Sequence, residues 1–238
     1  MVLNCSSYES AYKSLQNILS AYNESLEEII DEIKIYKVTN IEKYLDEKNV
    51  NFPSELNVIF FHFTKTLIPE SFNKGLFPLH MSFYDILQSI HNILNIDDDL
   101  NIWINSIKEK ISGMHKYTSF GRVNCDDGPN GLLIRAQGFH NNPGNVNYLN
   151  NPEFISDLHY SGLLSSNQLK MLSKYYKKVI VAFNVHYRES KYIKKYIIEA
   201  MKYLLDEEQM VATNDQMCFW NRGKAIPAKD IYSIEVLD

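Results

Sequence analysis

The sequence predicts an α+β fold, with helices dominating the first half of the chain and strands the second. Apolar residues recur at helical spacing through most of the first half, and several later apolar runs are short and rich in strand formers. Strict alternation of strand and helix is rare, which argues against a doubly wound parallel sheet. With 45% hydrophobic residues among 238, the chain has ample material for a core.

A heptad repeat marks the first 52 residues. Its members are spaced alternately four and three apart, and they are Tyr8, Tyr12, Leu15, Leu19, Tyr22, Leu26, Ile29, Ile33 and Tyr36. Such a repeat, without Pro or Gly, predicts one long helix, or one helix broken once near Asn23. We interpret residues 1–52 as an N-terminal helical extension and residues 53–238 as an α+β domain. The heptad face either packs along its own domain, which we favour, or forms a homodimer seam.

The run Leu56–Thr64 predicts a strand buried on both faces, because it is too short for a capped helix and rich in strand formers. Side chains alternate along a strand, so Phe60, His62 and Thr64 share one face. Two hydrogen-bonding side chains therefore emerge where an apolar strand ends, a place where sheets open to ligands. The plain alternative is a core histidine bonded to a backbone carbonyl.

Further elements follow from local signals along the chain. A helical turn over residues 69–75 is expected to end at Gly75. Ser82, with Asp85 three residues later, predicts a helix start, and Asp97–Asp99 cap the next helix. Other helices are predicted at 165–176 and 193–205, and strands at 132–135, 179–187, 216–220 and 231–237.

Composition excludes several classes of protein. No apolar run approaches the ~18 residues of a membrane span, and the first residues lack the pattern of a signal peptide. Three scattered cysteines fit a reduced compartment, so we expect a cytoplasmic protein. A net charge of −5 without a basic stripe does not indicate nucleic-acid binding. Cys and His residues are not at zinc spacings, so no metal site is expected.

Two stretches resemble ADP-ribosyltransferase-like domains. Residues 61–64 (Phe-His-Phe-Thr), the helical turn after them, Lys74-Gly75-Leu76 and Pro78 resemble the first motif of that family. The run Ile226–Glu235 resembles the closing strand of such domains, so the resemblance covers residues 56–80 and 213–237. It implies a split antiparallel sheet that binds NAD as a substrate. The implied activity is transfer of ADP-ribose to an unknown acceptor, or hydrolysis of NAD.

The resemblance also assigns roles to individual residues. His62 would bond the nicotinamide-side ribose, and Thr64 would support it. A tyrosine or serine of the second motif orients nicotinamide, and the candidates here are residues 117–119, with Tyr117 preferred, and Tyr148.

The third motif of the family is a glutamate that polarises a ribose hydroxyl. The matching place holds Gln216, which hydrogen-bonds but carries no charge, while Asp215 fits only if the register shifts by one residue. Arg122 could meet the pyrophosphate, because guanidinium binds phosphate in a bidentate manner. The departure at position 216 leaves an alternative open, namely a non-catalytic nucleotide-binding or protein-interaction module on the same fold.

A second enzyme class deserves comparison. Two-histidine phosphodiesterases carry two H-x-[ST] motifs on adjacent strands, whose imidazoles act as general acid and base. Residues 62–64 match this pattern, and residues 159–161 are a second formal match. Phe154 and Leu158 are spaced four apart, which predicts that His159 ends a helix instead. His186 is interpreted as a sheet residue with satisfied hydrogen bonds.

Overall fold

The computed structural model describes residues 1–112, 128–139, 149, 153–212 and 218–237. The helices are α1 (Tyr8–Ser20), α2 (Leu26–Ile35), α3 (Ile41–Glu47), α4 (Leu79–Leu94), α5 (Leu100–Ser112), α6 (Glu153–Tyr160), α7 (Ser166–Leu172), α8 (Ser190–Leu205) and α9 (Glu207–Ala212). The strands are β1 (Val2–Leu3), β2 (Leu56–Thr66), β3 (Gly75–Leu76), β4 (Asn130–Leu132), β5 (Lys177–Tyr187), β6 (Cys218–Trp220), β7 (Ile226–Pro227) and β8 (Ile231–Leu237). Short 3-10 helices occupy Pro69–Lys74, Arg135–Phe139 and Ala228–Asp230.

The predicted α+β class is confirmed, although α6 to α9 also lie in the second half of the chain. Six strands form a mostly antiparallel sheet in the order β6-β4-β2-β5-β8, with β1 added parallel to β2. β2 and β4 are antiparallel, with Phe61 opposite Leu132. A second sheet consists of the antiparallel pair β3 and β7. No helix in the described ranges is long and apolar enough to cross a membrane.

The predicted strand over residues 56–64 is confirmed and extends to Thr66. Leu56 and residues 58–61 are buried, as expected for a strand covered on both faces, and Phe63 is buried as well. Burial becomes partial at His62 and Thr64, so the polar pair lies where the covered part of the strand ends.

The chain divides into two compact units. Unit 1 consists of Met1–Phe61, Gly131–Val146 and Ala182–Phe219, and unit 2 of His62–Asn130, Asn147–Val181 and Trp220–Asp238. The helices of residues 1–52 belong to unit 1 together with β1, α8 and α9. The predicted boundary between residues 52 and 53 stays a prediction.

The heptad segment forms two helices with a break at Asn23, which has a left-handed φ of 63°. The Ser25 side chain accepts a hydrogen bond from the Glu28 backbone N–H and so begins α2. Both α1 and α2 pack against α8 inside unit 1. The central heptad residues are therefore buried within their own unit, as the favoured alternative expects, namely Leu15, Leu19, Leu26, Ile29 and Ile33.

Unit 2 holds a core of its own made by α4 to α7. Its buried members are Phe83, Leu87, Ile90, Trp103, Ile104, Ile107, Phe154, Ile155, Leu158, Leu164 and Leu172. The predicted cap of α5 is confirmed, because the Asp99 side chain accepts hydrogen bonds from the backbone of Asn101 and Ile102. The predicted helix start at Ser82 is wrong. α4 begins after Pro78, and the Ser82 hydroxyl donates to the Pro78 carbonyl from inside the helix.

Two other predicted boundaries are also corrected. The strand expected at 132–135 lies at Asn130–Leu132, and the Arg135 N–H donates instead to the Cys5 carbonyl as the next 3-10 helix begins. The strand expected at 179–187 begins at Lys177. The start of α7 is confirmed, with Ser165 and Gln168 forming a reciprocal capping box.

Gly75 fixes the approach of β3 to β7. Its φ of 123° is a conformation that other residues rarely adopt, and an added Cβ would lie 2.5 Å from the Ile226 carbonyl oxygen. The predicted end of the turn at Gly75 is confirmed. Gly162 provides a comparison, because its φ is also positive, at 74°, yet nothing lies within 4 Å of an added Cβ.

Gly75→Ala is expected to lower the free energy of unfolding by about 3 kcal/mol, because backbone strain and a clash with fixed backbone act together. Gly162→Ala should cost only about 1 to 2 kcal/mol, because it carries the backbone strain alone. Urea unfolding of the whole chain measures both values. Equal losses in the two variants would contradict the close packing of β3 against β7.

Candidate functional site

His62 lies near the end of β2 and is oriented by the backbone of β4. Its Nδ1 lies 2.8 Å from the Asn130 carbonyl oxygen. A carbonyl only accepts hydrogen bonds, so Nδ1 carries the proton. In neutral His62 the lone pair is then on Nε2, which makes that atom a hydrogen-bond acceptor.

Thr64 follows His62 on the same face of β2. Its hydroxyl lies 3.4 Å from the carbonyl oxygen of Lys65, a long contact that leaves the hydroxyl able to turn toward a ligand. Both side chains are half-buried. The strand therefore presents one acceptor and one hydroxyl next to each other, a pair suited to neutral polar groups such as sugar hydroxyls.

The first residues of β4 are held from two sides. The Asn130 carbonyl accepts from His62, and the preceding Pro129 carbonyl accepts from the backbone N–H of Asn221, at 3.3 Å. Asn221 follows β6, so its turn is tied to the same short segment that orients His62. Pattern analysis missed this arrangement, because a backbone carbonyl has no signature in the sequence.

The other residues proposed for the site lie outside the described residues. These are the second-motif candidates Tyr117 and Tyr148, the pyrophosphate candidate Arg122, and Asp215 and Gln216 at the polarising position. Their roles stay predictions. Only His62 and Thr64 of the predicted set are placed.

His159 does not match the arrangement of a two-histidine phosphodiesterase. It lies in the last turn of α6, as expected, and not on a strand beside β2. Its Nδ1 lies 2.9 Å from the Leu164 carbonyl oxygen, so the ring helps to close the turn after the helix. His159, the histidine of the second H-x-[ST] match, therefore makes a structural contact at the end of α6.

His186 is satisfied by its neighbours in unit 1. Its Nδ1 lies 3.1 Å from Asn57 Oδ1, and its Nε2 accepts from Arg188 Nε at 3.2 Å, with a Glu55 carboxylate oxygen at 3.6 Å. The interpretation of His186 as a bonded sheet residue is confirmed. Among the described residues, the buried Oδ1 of Asn184 next to this network has no hydrogen-bond partner.

A shallow groove of about 500 Å³ lies in unit 1 between α3 and α8. Three lysines and two glutamates line it with Thr39, Asn40, Ile41 and Ile198. Lys191 pairs with Glu189 and Lys202 with Glu199. The exposed Lys191–Glu189 pair contributes little stability. The lining itself has nearly balanced charge, with three lysines against two glutamates.

Comparisons with protein-family models, curated proteins and solved structures find no match for this chain. The family resemblance therefore rests on the residues quoted above. Within the described part of the chain, no three His, Cys, Asp or Glu side chains are grouped so that they could hold a metal ion.

The neutral His62 ring is expected to be the Nδ1–H tautomer, because the Asn130 carbonyl accepts its hydrogen bond. Long-range ¹H–¹⁵N correlation spectra of the whole chain, recorded well above the pH at which histidine titrates, distinguish the tautomers. His186 provides an internal comparison. A protonated Nε2 on neutral His62 would contradict the geometry of the site.

Proposed function

We propose that this protein is an ADP-ribosyltransferase-like domain that binds NAD at the end of β2. His62 Nε2 accepts a hydrogen bond from a hydroxyl of the nicotinamide-side ribose, and the Thr64 hydroxyl supports the same sugar. The bound dinucleotide is the substrate, and the acceptor is an unidentified macromolecule or water. The observation that carries the proposal is the position of His62, half-buried beside Thr64 where the covered part of β2 ends. Its bond to the Asn130 carbonyl fixes the ring, as it would in a purely structural histidine, and leaves Nε2 as the acceptor atom.

The second sheet supports the proposal independently of His62. The two stretches that resemble the family are separated by more than 130 residues in the sequence. They come together in unit 2, where Gly75 lies opposite Pro227 and Leu76 opposite Ile226. A small sheet beside a larger one is also what a split-sheet fold requires. Chance similarity of two short runs gives no reason for them to pair.

The chemistry at the ribose is a substitution at its anomeric carbon. The bond between C1′ and the nicotinamide nitrogen breaks, and its electron pair leaves with nicotinamide. An acceptor oxygen or nitrogen, or a water oxygen, then bonds to C1′ and loses a proton. Hydrogen bonds that hold the ribose while positive charge develops stabilise this transition state.

A binding module without turnover is the second candidate, and the amide at position 216 favours it. Gln216 can hydrogen-bond a ribose hydroxyl, but it supplies no negative charge to the developing cation. In that case the domain acts as a nucleotide sensor. Both candidates require the same ribose site at His62 and Thr64.

ADP-ribose binding by the whole chain is expected to weaken about tenfold in His62→Asn, because one hydrogen bond to the ribose is lost. The asparagine amide can still donate to the Asn130 carbonyl, so the fold is retained. Thr64→Val keeps the shape but lacks the hydroxyl, and it should weaken binding several-fold. Isothermal titration calorimetry measures the affinities, and thermal unfolding confirms that the variants are folded.

Release of nicotinamide from labelled NAD separates the two candidates. Release that disappears in His62→Asn supports a transferase or NAD hydrolase, and binding without release supports the sensor. A chain that neither binds ADP-ribose nor releases nicotinamide contradicts the proposed function altogether.

A further inference from the structure

The turn after β6 carries two exposed cations in a fixed backbone. Lys224 N–H donates to the Asn221 carbonyl at 3.1 Å, and the two residues between them have positive φ, 50° at Arg222 and 73° at Gly223. This is the pattern of a type I′ turn. The Asn221 side chain also donates to the carbonyls of Lys224 and Ala225, which holds the turn from inside.

Arg222 is an unusual choice for its position. Positive φ at this point of a type I′ turn favours Gly, which has no Cβ to strain the backbone, and Asn or Asp, whose short polar side chains hydrogen-bond locally. Among the described non-glycine residues with positive φ, three are asparagines, and Lys37 ends α2, where a left-handed residue is common. Residues in strained backbone conformations cluster at functional sites, so the position of Arg222 points to a role for its side chain.

Contacts with the described residues do not explain why an arginine occupies position 222. Its side chain is exposed, and so is that of Lys224. Neither side chain makes a hydrogen bond or ion pair with the described residues. Two exposed cations on one short hydrogen-bonded turn suit an oxyanion with several charged oxygens, because guanidinium binds phosphate in a fork and ammonium binds it as a point charge.

The backbone of β4 connects this turn to His62. Asn221 N–H bonds the Pro129 carbonyl, and His62 bonds the carbonyl of the next residue, Asn130. β4 is the neighbour of both β2 and β6 in the sheet, so the turn follows a strand about 10 Å from β2, two strand spacings. All these residues belong to unit 2.

We propose that Arg222 and Lys224 bind the diphosphate of the dinucleotide whose ribose contacts His62. The inference rests on the proposed function and adds two cations to Arg122, the residue that the sequence suggests for the same pyrophosphate. The bound ligand would then run from its ribose at the end of β2, across the start of β4, to its diphosphate at the turn after β6. Dinucleotides and nucleoside diphosphate sugars can make both contacts, whereas nucleosides without phosphate can make only the ribose contact.

Arg222→Asn tests the inference without damaging the fold, because asparagine suits the left-handed position better than arginine does. We expect its melting temperature to equal or exceed that of the unmodified chain. Its affinity for ADP-ribose should fall about tenfold, the effect of one lost charge-assisted contact. Its affinity for nicotinamide riboside, which has no phosphate, should not change. Lys224→Gln should lower ADP-ribose affinity in the same selective way.

Lys37→Asn is the matched control. It also removes a cation from a left-handed position, but it lies at the end of α2 in unit 1. Calorimetric titration should give it unchanged affinity for both ligands. Equal ADP-ribose affinity in Arg222→Asn and the unmodified chain would overturn the diphosphate assignment while leaving the ribose site intact. Failure of the unmodified chain to bind either ligand would overturn the proposed function, and the inference with it.

Discussion

Hydrogen bonding of β2 on both of its edges is the constraint on which the rest of the structure depends. β4 and β5 flank this strand, and its apolar residues are buried on both faces from residue 58 to residue 61. A strand enclosed in this way can carry polar side chains without cost only where the enclosure ends. His62 and Thr64 lie at that point, where the fold leaves two polar side chains half-buried.

The start of β4 then fixes the orientation of the half-buried His62 ring. Asn130 fixes the tautomer and direction of the His62 ring, and Pro129 holds the turn that contains Arg222. One short backbone segment thus positions an acceptor atom and a cationic turn relative to each other. Preorganisation of this kind lowers the ordering cost of binding, which matters for a polar ligand with many rotatable bonds.

Local patterns predicted β2 and the caps of α5 and α7, and they gave the break near Asn23 as one of two alternatives, because each depends on side chains a few residues apart. The start of α4 was predicted wrongly, since Ser82 and Asp85 imitate a capping box while Pro78 is compatible with an earlier first turn. The carbonyl that orients His62 could not be predicted, because it is a backbone group 68 residues away in the sequence. The glycine that follows Arg222 indicates a turn in the sequence, but only the backbone angles reveal the strain at Arg222 itself.

The most direct test of a ribose site at His62 is an imidazole ¹⁵N titration with ADP-ribose, using the whole chain. We expect the Nε2 resonance of His62 to shift as it accepts a hydrogen bond, while Nδ1 stays protonated and bonded to the Asn130 carbonyl. His186, bonded within unit 1, should not respond. Saturating ADP-ribose that leaves His62 Nε2 unchanged would contradict the account.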